Sequence, residues 1–141
     1  MSFLTCPPPN RFFTLVFICR RQPHLNKEEY HEHYLKVHFQ HSIQMPGLVK
    51  YIQLPIRRKE DLSLGLSLPG DYDSVSVYVY ESAEAYQAAM DSPAGALLQE
   101  DSVKIMDMAK NVAIPVYYGQ DFHSGMNGEG GQSWMRADGS A

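Results

Sequence analysis

The stretch NKEEYHEHYLKVHFQHSIQMPGLVKYIQLPI (Asn26–Ile56) carries the signals for a helix, a turn and a strand in direct succession. Its first residue is an asparagine, which is a favoured N-cap, and Glu29 three residues later completes a capping box. The Met-Pro-Gly break (Met45–Gly47) ends the helix, because proline does not continue it and glycine permits a left-handed turn. The stretch therefore predicts a helix at Lys27–Ile43 and a strand at Leu48–Ile56.

The flanking segments extend this pattern in both directions. FFTLVFIC (Phe12–Cys19) is a continuous apolar run, typical of a central strand that is buried on both faces. Beyond the second strand we predict a third strand at Asp73–Glu81 that pairs with it. Two helices follow, at Ala83–Asp91 and Pro93–Lys110. A fourth strand is predicted at Asn111–Gly119, where Pro115 favours an edge position. The order is that of a ferredoxin-like βαββαβ fold of the α+β class. It implies an antiparallel four-stranded sheet with helices on one face.

The other face of this sheet needs a cover, and a chain of 141 residues has no further segment to supply one. We therefore expect a homodimer that packs sheet against sheet. The predicted domain spans residues 12–120. An irregular proline-rich arm (1–11) precedes it, and a glycine- and serine-rich tail (121–141) that we expect to be flexible follows it.

Composition argues against several classes of partner. The net charge is −4 and there is no basic run, which argues against nucleic-acid and membrane partners. The only cysteines, Cys6 and Cys19, fit neither a zinc site nor a disulfide framework, so a reducing compartment is expected. With no recognisable signal peptide or transmembrane segment, the sequence predicts a cytoplasmic protein.

The first helix is unusually polar on the side that should face the sheet. A projection at 3.6 residues per turn places Tyr30, Tyr34, Val37 and His41 on that side, with His38 on its shoulder. A cleft between helix and sheet would explain buried imidazoles and phenols, which can transfer protons and donate hydrogen bonds to an oxyanion. The alternative is that the histidines lie on the surface and the tyrosines are core aromatics.

A metal site is not predicted here. In HEHYLKVHFQH only His38 and His41 have a spacing that suits ligands on one helix face, and no carboxylate joins them. Neither cysteine has a neighbouring histidine in the sequence, so a thiol nucleophile is not supported either.

Two stretches resemble the EthD-domain family of the dimeric α/β-barrel superfamily: FICRRQPHLNKEEYHEHYLKVHFQHSIQMPGLVKY and YESAEAYQAAMDSPAG. The resemblance covers residues 13–119. The part VHFQHSIQMPGLVKY is similar to the corresponding stretch of methylmuconolactone methylisomerases, whose third strand supplies a cysteine. Tyr78 stands at that position here, so this chain departs from their pattern.

The resemblance implies a dimer whose sheets close into a barrel, one cleft per subunit for a small-molecule substrate, and no cofactor. It assigns His38 as the acid–base residue and Tyr51 as the phenol that orients or polarises a substrate oxygen. The cleft residues expected to bind substrate are His41, Tyr34, Tyr78 and Phe17.

The expected function is a cofactor-independent acid–base enzyme of small-molecule metabolism, acting on polyketide or other aromatic compounds. Relatives in fungal polyketide clusters imply a lyase, either a dehydratase or a decarboxylase, and an isomerase or cyclase is the close alternative. Two other classes stay open, because a fold does not fix a reaction. One is a non-catalytic ligand-binding or accessory protein, and the other is a cofactor-free or haem-type monooxygenase.

Overall fold

The computed structural model describes residues 11–61, 71–122 and 124, and these confirm the predicted order of strands and helices. The predicted arm at 1–11 and tail at 121–141 lie almost wholly outside the described residues. The elements are β1 (Phe13–Cys19), α1 (Lys27–His33), a π-helical turn (Tyr34–His38), α2 (Phe39–Ser42), β2 (Leu48–Pro55), a short 3₁₀ helix (Lys59–Asp61), β3 (Ser74–Tyr80), α3 (Ala83–Met90), α4 (Pro93–Ile105) and β4 (Val112–Val116).

The four strands form one antiparallel sheet in the order β2-β3-β1-β4. The predicted pairing of the second and third strands is confirmed, and β4 with Pro115 lies at an edge. Side chains alternate along each strand, so one face of the sheet meets the helices and the other does not. The fold is therefore the predicted ferredoxin-like α+β architecture.

The first helix begins and ends as the sequence predicts. The Asn26 side chain accepts from the backbone N–H of Glu29, and the Glu29 side chain accepts from the backbone N–H of Asn26. At the other end Gly47 adopts φ of 77°, a left-handed conformation that glycine tolerates best. The chain then enters β2, which places the end of the helix beside the start of that strand.

The π-helical turn corrects the predicted helix face. Residues four apart in a regular α-helix rotate by about 40° relative to one another, but the wider π turn reduces this rotation. Val37, expected against the sheet, is 41% exposed, whereas His38 is 2% exposed. The buried line therefore runs through Tyr30, Tyr34, His38 and Ser42.

Small side chains on β3 make room for the tyrosines of this helix. The hydroxyl of Tyr30 lies 2.7 Å from Oγ of Ser74, and the hydroxyl of Tyr34 lies 2.6 Å from Oγ of Ser76. A larger residue at either serine would meet the phenol, and an apolar one would leave a buried hydroxyl with fewer partners. These pairs set the distance of the first helix from the sheet.

The second pair of helices is packed closely. Ser82 and Ser92 cap α3 and α4 with their side chains. Gly95 lies so near the end of α3 that an added Cβ would come within 2.4 Å of the carbonyl oxygen of Ala89. The last helix ends at Ile105, not at Lys110 as predicted, because Met106 is extended and pairs with the segment after β1.

The face of the sheet away from the helices is apolar and partly exposed. Leu54 on one edge strand is 49% exposed and Ile114 on the other is 40% exposed. The strand registers place these side chains on the same face as the half-buried residues Val16, Ile18, Ile52, Val75 and Val77.

Candidate active site

A cavity of about 330 Å³ lies between the helix-facing side of the sheet and helices α3 and α4. Three of the residues predicted to form the site line it: Phe17 from β1, Tyr78 from β3 and His38 from the π-helical turn. Much of the remaining wall is aromatic or sulfur-containing. Its other members include Cys19, Tyr80, Tyr86, Met90, Leu98, Met106, Met108 and Asn111.

His38 is held by a carboxylate from a different helix. Its Nδ1 lies 2.8 Å from Oδ2 of Asp101 on α4, and both side chains are almost completely buried. The ring also stacks on Tyr34, with centroids 6.0 Å apart and planes inclined by 25°. Asp101 therefore holds the imidazole at Nδ1, and Tyr34 packs against one face of the ring. The edge that carries Nε2 is left to meet the cavity.

Asp101 bridges two imidazoles. Its other oxygen, Oδ1, lies 2.7 Å from Nε2 of His33, whose side chain is 31% exposed. Burial opposes ionisation of the carboxyl group, but the hydrogen bonds to His38 and His33 outweigh it and lower the pKa of Asp101 to about 2. Asp101 is therefore ionised at neutral pH.

This ionisation state fixes the tautomer of neutral His38. A carboxylate only accepts hydrogen bonds, so the proton of the imidazole lies on Nδ1. Nε2 then carries a lone pair, and it has no hydrogen-bond partner within the described part of the chain. The arrangement can accept a proton from a molecule in the cavity, while the carboxylate stabilises the imidazolium that forms.

The predicted phenol Tyr51 lies in a second layer, behind the cavity wall that Tyr78 helps to form. Tyr51 stands behind Tyr78, with ring centroids 4.6 Å apart, and it is not among the residues that line the cavity. The hydroxyl of Tyr78 lies 2.7 Å from Oγ of Ser42, and that of Tyr51 accepts from Gln53 at 2.9 Å. Burial raises the pKa of both phenols, so both remain protonated at neutral pH.

Tyr34 and His41, the other two residues predicted to bind substrate, do not line the cavity. Tyr34 supports the ring of His38 from outside the cavity wall, and its own hydroxyl donates to the carbonyl oxygen of Val75 at 3.1 Å. His41 is half-buried and does not line the cavity. Its predicted contact with substrate stays a prediction.

Cys19 lines the cavity as a neutral thiol. Burial raises the pKa of its sulfhydryl to about 12, even though a hydrogen bond with Ser74 acts in the opposite direction. The thiolate is the nucleophilic form of cysteine. At neutral pH this side chain therefore contributes shape and weak polarity to the cavity.

Sequence reasoning missed Asp101, although a local signal was present. Leu98, Asp101 and Ile105 follow the spacing of one helix face, and all three are buried. A carboxylate within an apolar stripe needs a buried partner, but the sequence does not show which residue meets it. Sequence reasoning likewise assigned no role to His33.

Fold and site together define a ferredoxin-like α+β protein with a buried imidazole–carboxylate pair beside an apolar cavity. The EthD-domain family model matches residues 22–109, so the chain belongs to the EthD-domain family, as the resemblance in its sequence predicted. No curated protein matches the chain in sequence. Within the described ranges, no helix combines the length and apolar character needed to cross a membrane.

Several solved structures share this fold. An EthD-family protein from Bacillus halodurans is 19% identical, with a TM-score of 0.58, and the match covers 79% of this chain and 99% of that one. A dimeric ferredoxin-like protein from Thermobifida fusca is 17% identical, with a TM-score of 0.57 and coverage of 76% and 91%. A hydroxynitrile lyase from Passiflora edulis is 8% identical, with a TM-score of 0.59 and coverage of 82% and 100%. At these identities the likeness establishes the fold alone.

Proposed function

We propose that this chain is a cofactor-independent acid–base enzyme that moves a proton next to the carbonyl group of a small aromatic or polyketide-like compound. The observation that carries the proposal is the buried pair of His38 and Asp101 at the cavity wall, in which Asp101 occupies Nδ1 of the imidazole. A structural histidine needs no such cavity, and a surface histidine would not be buried to 2%.

In the proposed reaction, Nε2 of His38 takes a proton from a carbon next to a carbonyl group. The electron pair of the broken C–H bond moves toward the carbonyl oxygen, which gives an enolate, and Asp101 stabilises the imidazolium. Return of the proton to another carbon completes an isomerisation, and its delivery to a departing hydroxyl group completes a dehydration. In a decarboxylation, Nε2 of His38 first takes the proton of a β-keto carboxylic acid, the carboxylate loses carbon dioxide to leave the same enolate, and the imidazolium returns the proton to the carbon.

The aromatic wall supports a substrate of two or three fused rings, since the cavity lies at the lower end of the range of about 300–1,000 Å³ that ligand pockets show. Phe17 and Tyr78, whose rings meet edge to face with centroids 5.5 Å apart, would contact such rings. Tyr51 would act through Tyr78, as a positioning residue behind it. This differs from the direct polarising role that the resemblance implies for Tyr51.

Deuterium exchange into 2-tetralone tests the proposal without knowledge of the natural substrate. The C1 protons of this two-ring ketone lie next to the carbonyl group, and NMR in D₂O follows their replacement. We expect the protein to accelerate exchange and His38→Gln to abolish the acceleration, whereas the exposed His24→Gln retains it. Full activity in His38→Gln would contradict the proposal. Tight binding of 2-tetralone without exchange would favour the ligand-carrier alternative.

We also propose that two copies of the chain pair through the open face of the sheet. The support is the continuous apolar surface between Leu54 and Ile114, together with the dimeric state of the Thermobifida fusca protein of the same fold. Val77, at the centre of this face, pairs with Val16 and Ile52 on the neighbouring strands.

Sedimentation analysis would test this dimer. We expect the wild-type chain to sediment as a dimer and Val77→Lys to sediment as a monomer, because a buried lysine without a partner is costly at an interface. Leu97→Lys is the matched control, since Leu97 is 52% exposed on a helix. A monomeric wild type, or a dimeric Val77→Lys, would refute this mode of pairing.

A further inference from the structure

Asn111 lines the cavity with a side-chain amide whose N–H groups have only weak acceptors. Its Oδ1 accepts from the backbone N–H of Arg20 at 3.0 Å, which fixes the orientation of the amide. The nitrogen, Nδ2, therefore points the other way, toward the sulfur atoms of Met106 at 3.5 Å and Met108 at 3.7 Å. Asn111 and both methionines line the cavity.

Sulfur is a weak acceptor, so the two N–H bonds of this amide are poorly satisfied. Two other polar groups at the cavity already have strong partners. Tyr78 is paired with Ser42, and Ser102 donates to the carbonyl oxygen of Leu98 at 2.9 Å. Gln99, Tyr80 and Tyr86 also bring polar groups to the cavity. Asn111 differs from them because the backbone N–H of Arg20 holds its amide in one orientation, so its donor is already aligned.

We propose that Nδ2 of Asn111 binds the carbonyl oxygen of the substrate, and that the substrate is an uncharged aromatic ketone. This inference rests on the proposed function and supplies the oxygen-binding group that Tyr51 does not provide from behind Tyr78. No lysine or arginine is among the described residues that line the cavity. A carboxylate would therefore lie near the ionised Asp101 without a cation to balance it.

The position of Asn111 also suits the proposed chemistry. His38 reaches the cavity from the first helix, whereas Asn111 reaches it from the turn before β4. As the proton moves to His38, negative charge develops on the carbonyl oxygen, and a hydrogen bond to that oxygen becomes stronger. Asn111 would thus lower the barrier as well as bind the ketone.

A pair of probes isolates this contact from turnover. Tetralin has the ring system of 2-tetralone without the oxygen, so the ratio of the two dissociation constants reports how well the cavity recognises a carbonyl group. Loss of one neutral hydrogen bond should change this ratio about three- to tenfold. Titration calorimetry on the full chain can measure both constants.

Two variants carry the test. Asn111→Leu removes the donor, and Asn111→Asp removes it while keeping an oxygen for the N–H of Arg20, so the second remains informative if the first does not fold. We expect the preference for 2-tetralone over tetralin to fall by about three- to tenfold or more in each. An unchanged ratio in a folded Asn111→Asp would overturn the proposal, as would the absence of ketone binding to the wild-type chain.

The outcomes separate this inference from the proposed function. If the wild type exchanges deuterium but the variants keep the wild-type ratio, the role of Asn111 fails and that of His38 stands. If the ratio falls as expected but the wild type catalyses no exchange, the oxygen site stands and the acid–base activity fails.

Discussion

Asp101 gives the sharpest test of how the site would work. Asp101→Asn keeps the size of the side chain but removes the negative charge that faces Nδ1 of His38 at 2.8 Å. A hydrogen bond to a charged partner contributes about 1.5–3 kcal/mol, and 1.4 kcal/mol corresponds to a tenfold change in rate. We therefore expect the variant to slow exchange of 2-tetralone by at least about tenfold, and by about 100-fold if the full contribution is lost.

The exchange rate of Asp101→Asn falls further if the new amide turns its nitrogen toward His38. Nδ1 must then accept a hydrogen bond, which moves the imidazole proton to Nε2. That tautomer cannot accept a proton from the cavity, and general base catalysis is worth about 10²–10⁴-fold. The expected range therefore extends from about tenfold, for loss of the charge alone, to about 10⁴-fold for reversal of the tautomer.

Glu100→Gln is the matched control for this experiment. Glu100 precedes Asp101 on the same helix, but its side chain is 66% exposed and pairs only loosely with Lys104, at 3.9 Å. The substitution removes the same charge without touching either histidine, so exchange should remain near the wild-type rate. Wild-type exchange by a folded Asp101→Asn would refute the assignment of the carboxylate. Equal losses in both variants would show that the effect is not specific to Asp101.

Three further predictions concern stability. The folded state lowers the pKa of Asp101 to about 2. The ionised carboxylate therefore contributes fully to the free energy of unfolding above about pH 4, and this contribution disappears as the pH falls toward 2. The difference in stability between wild type and Asp101→Asn should shrink over that interval in denaturant titrations. Gly95→Ala should cost about 1–3 kcal/mol, because its Cβ meets backbone at 2.4 Å, whereas Gly119→Ala, with no atom within 4 Å, should be near neutral in the same titration. Tyr78→Phe leaves the hydroxyl of Ser42 without this partner and should cost about 1 kcal/mol; an unchanged unfolding midpoint would show that their 2.7 Å contact contributes little.

The parts of the fold that the sequence predicted are those governed by local chemistry. The capping box at Asn26 and the glycine turn at Gly47 depend only on residues within one helical turn, and both are present. Alternation and apolar runs likewise located the strands, because side-chain direction repeats every two residues in a strand. The end of α4 was placed too late, since Met106 leaves the helix to pair with Arg21 on a distant segment.

The site was harder to predict because its contacts join distant segments. Asp101 meets His38 across 63 positions of the chain, and Asp73 meets Arg21 across 52. Asp73, which the sequence places at the start of the third strand without a partner, is fully buried and paired with both Arg21 and Lys27. In each case a buried carboxylate is stable only because cationic or imidazole partners come to it from other elements.

The π-helical turn connects the local structure of the first helix to the long-range contacts of the site. With regular α-helical geometry His38 would lie on the shoulder of the helix, and Val37 would take a place against the sheet. The wider turn instead brings Tyr34, His38 and Ser42 into one buried line, so the imidazole meets Asp101 on one edge and the cavity on the other. Such turns are less stable than regular helix and occur frequently at functional sites. The departure from regular helix therefore places an ionisable side chain between a buried carboxylate and the cavity.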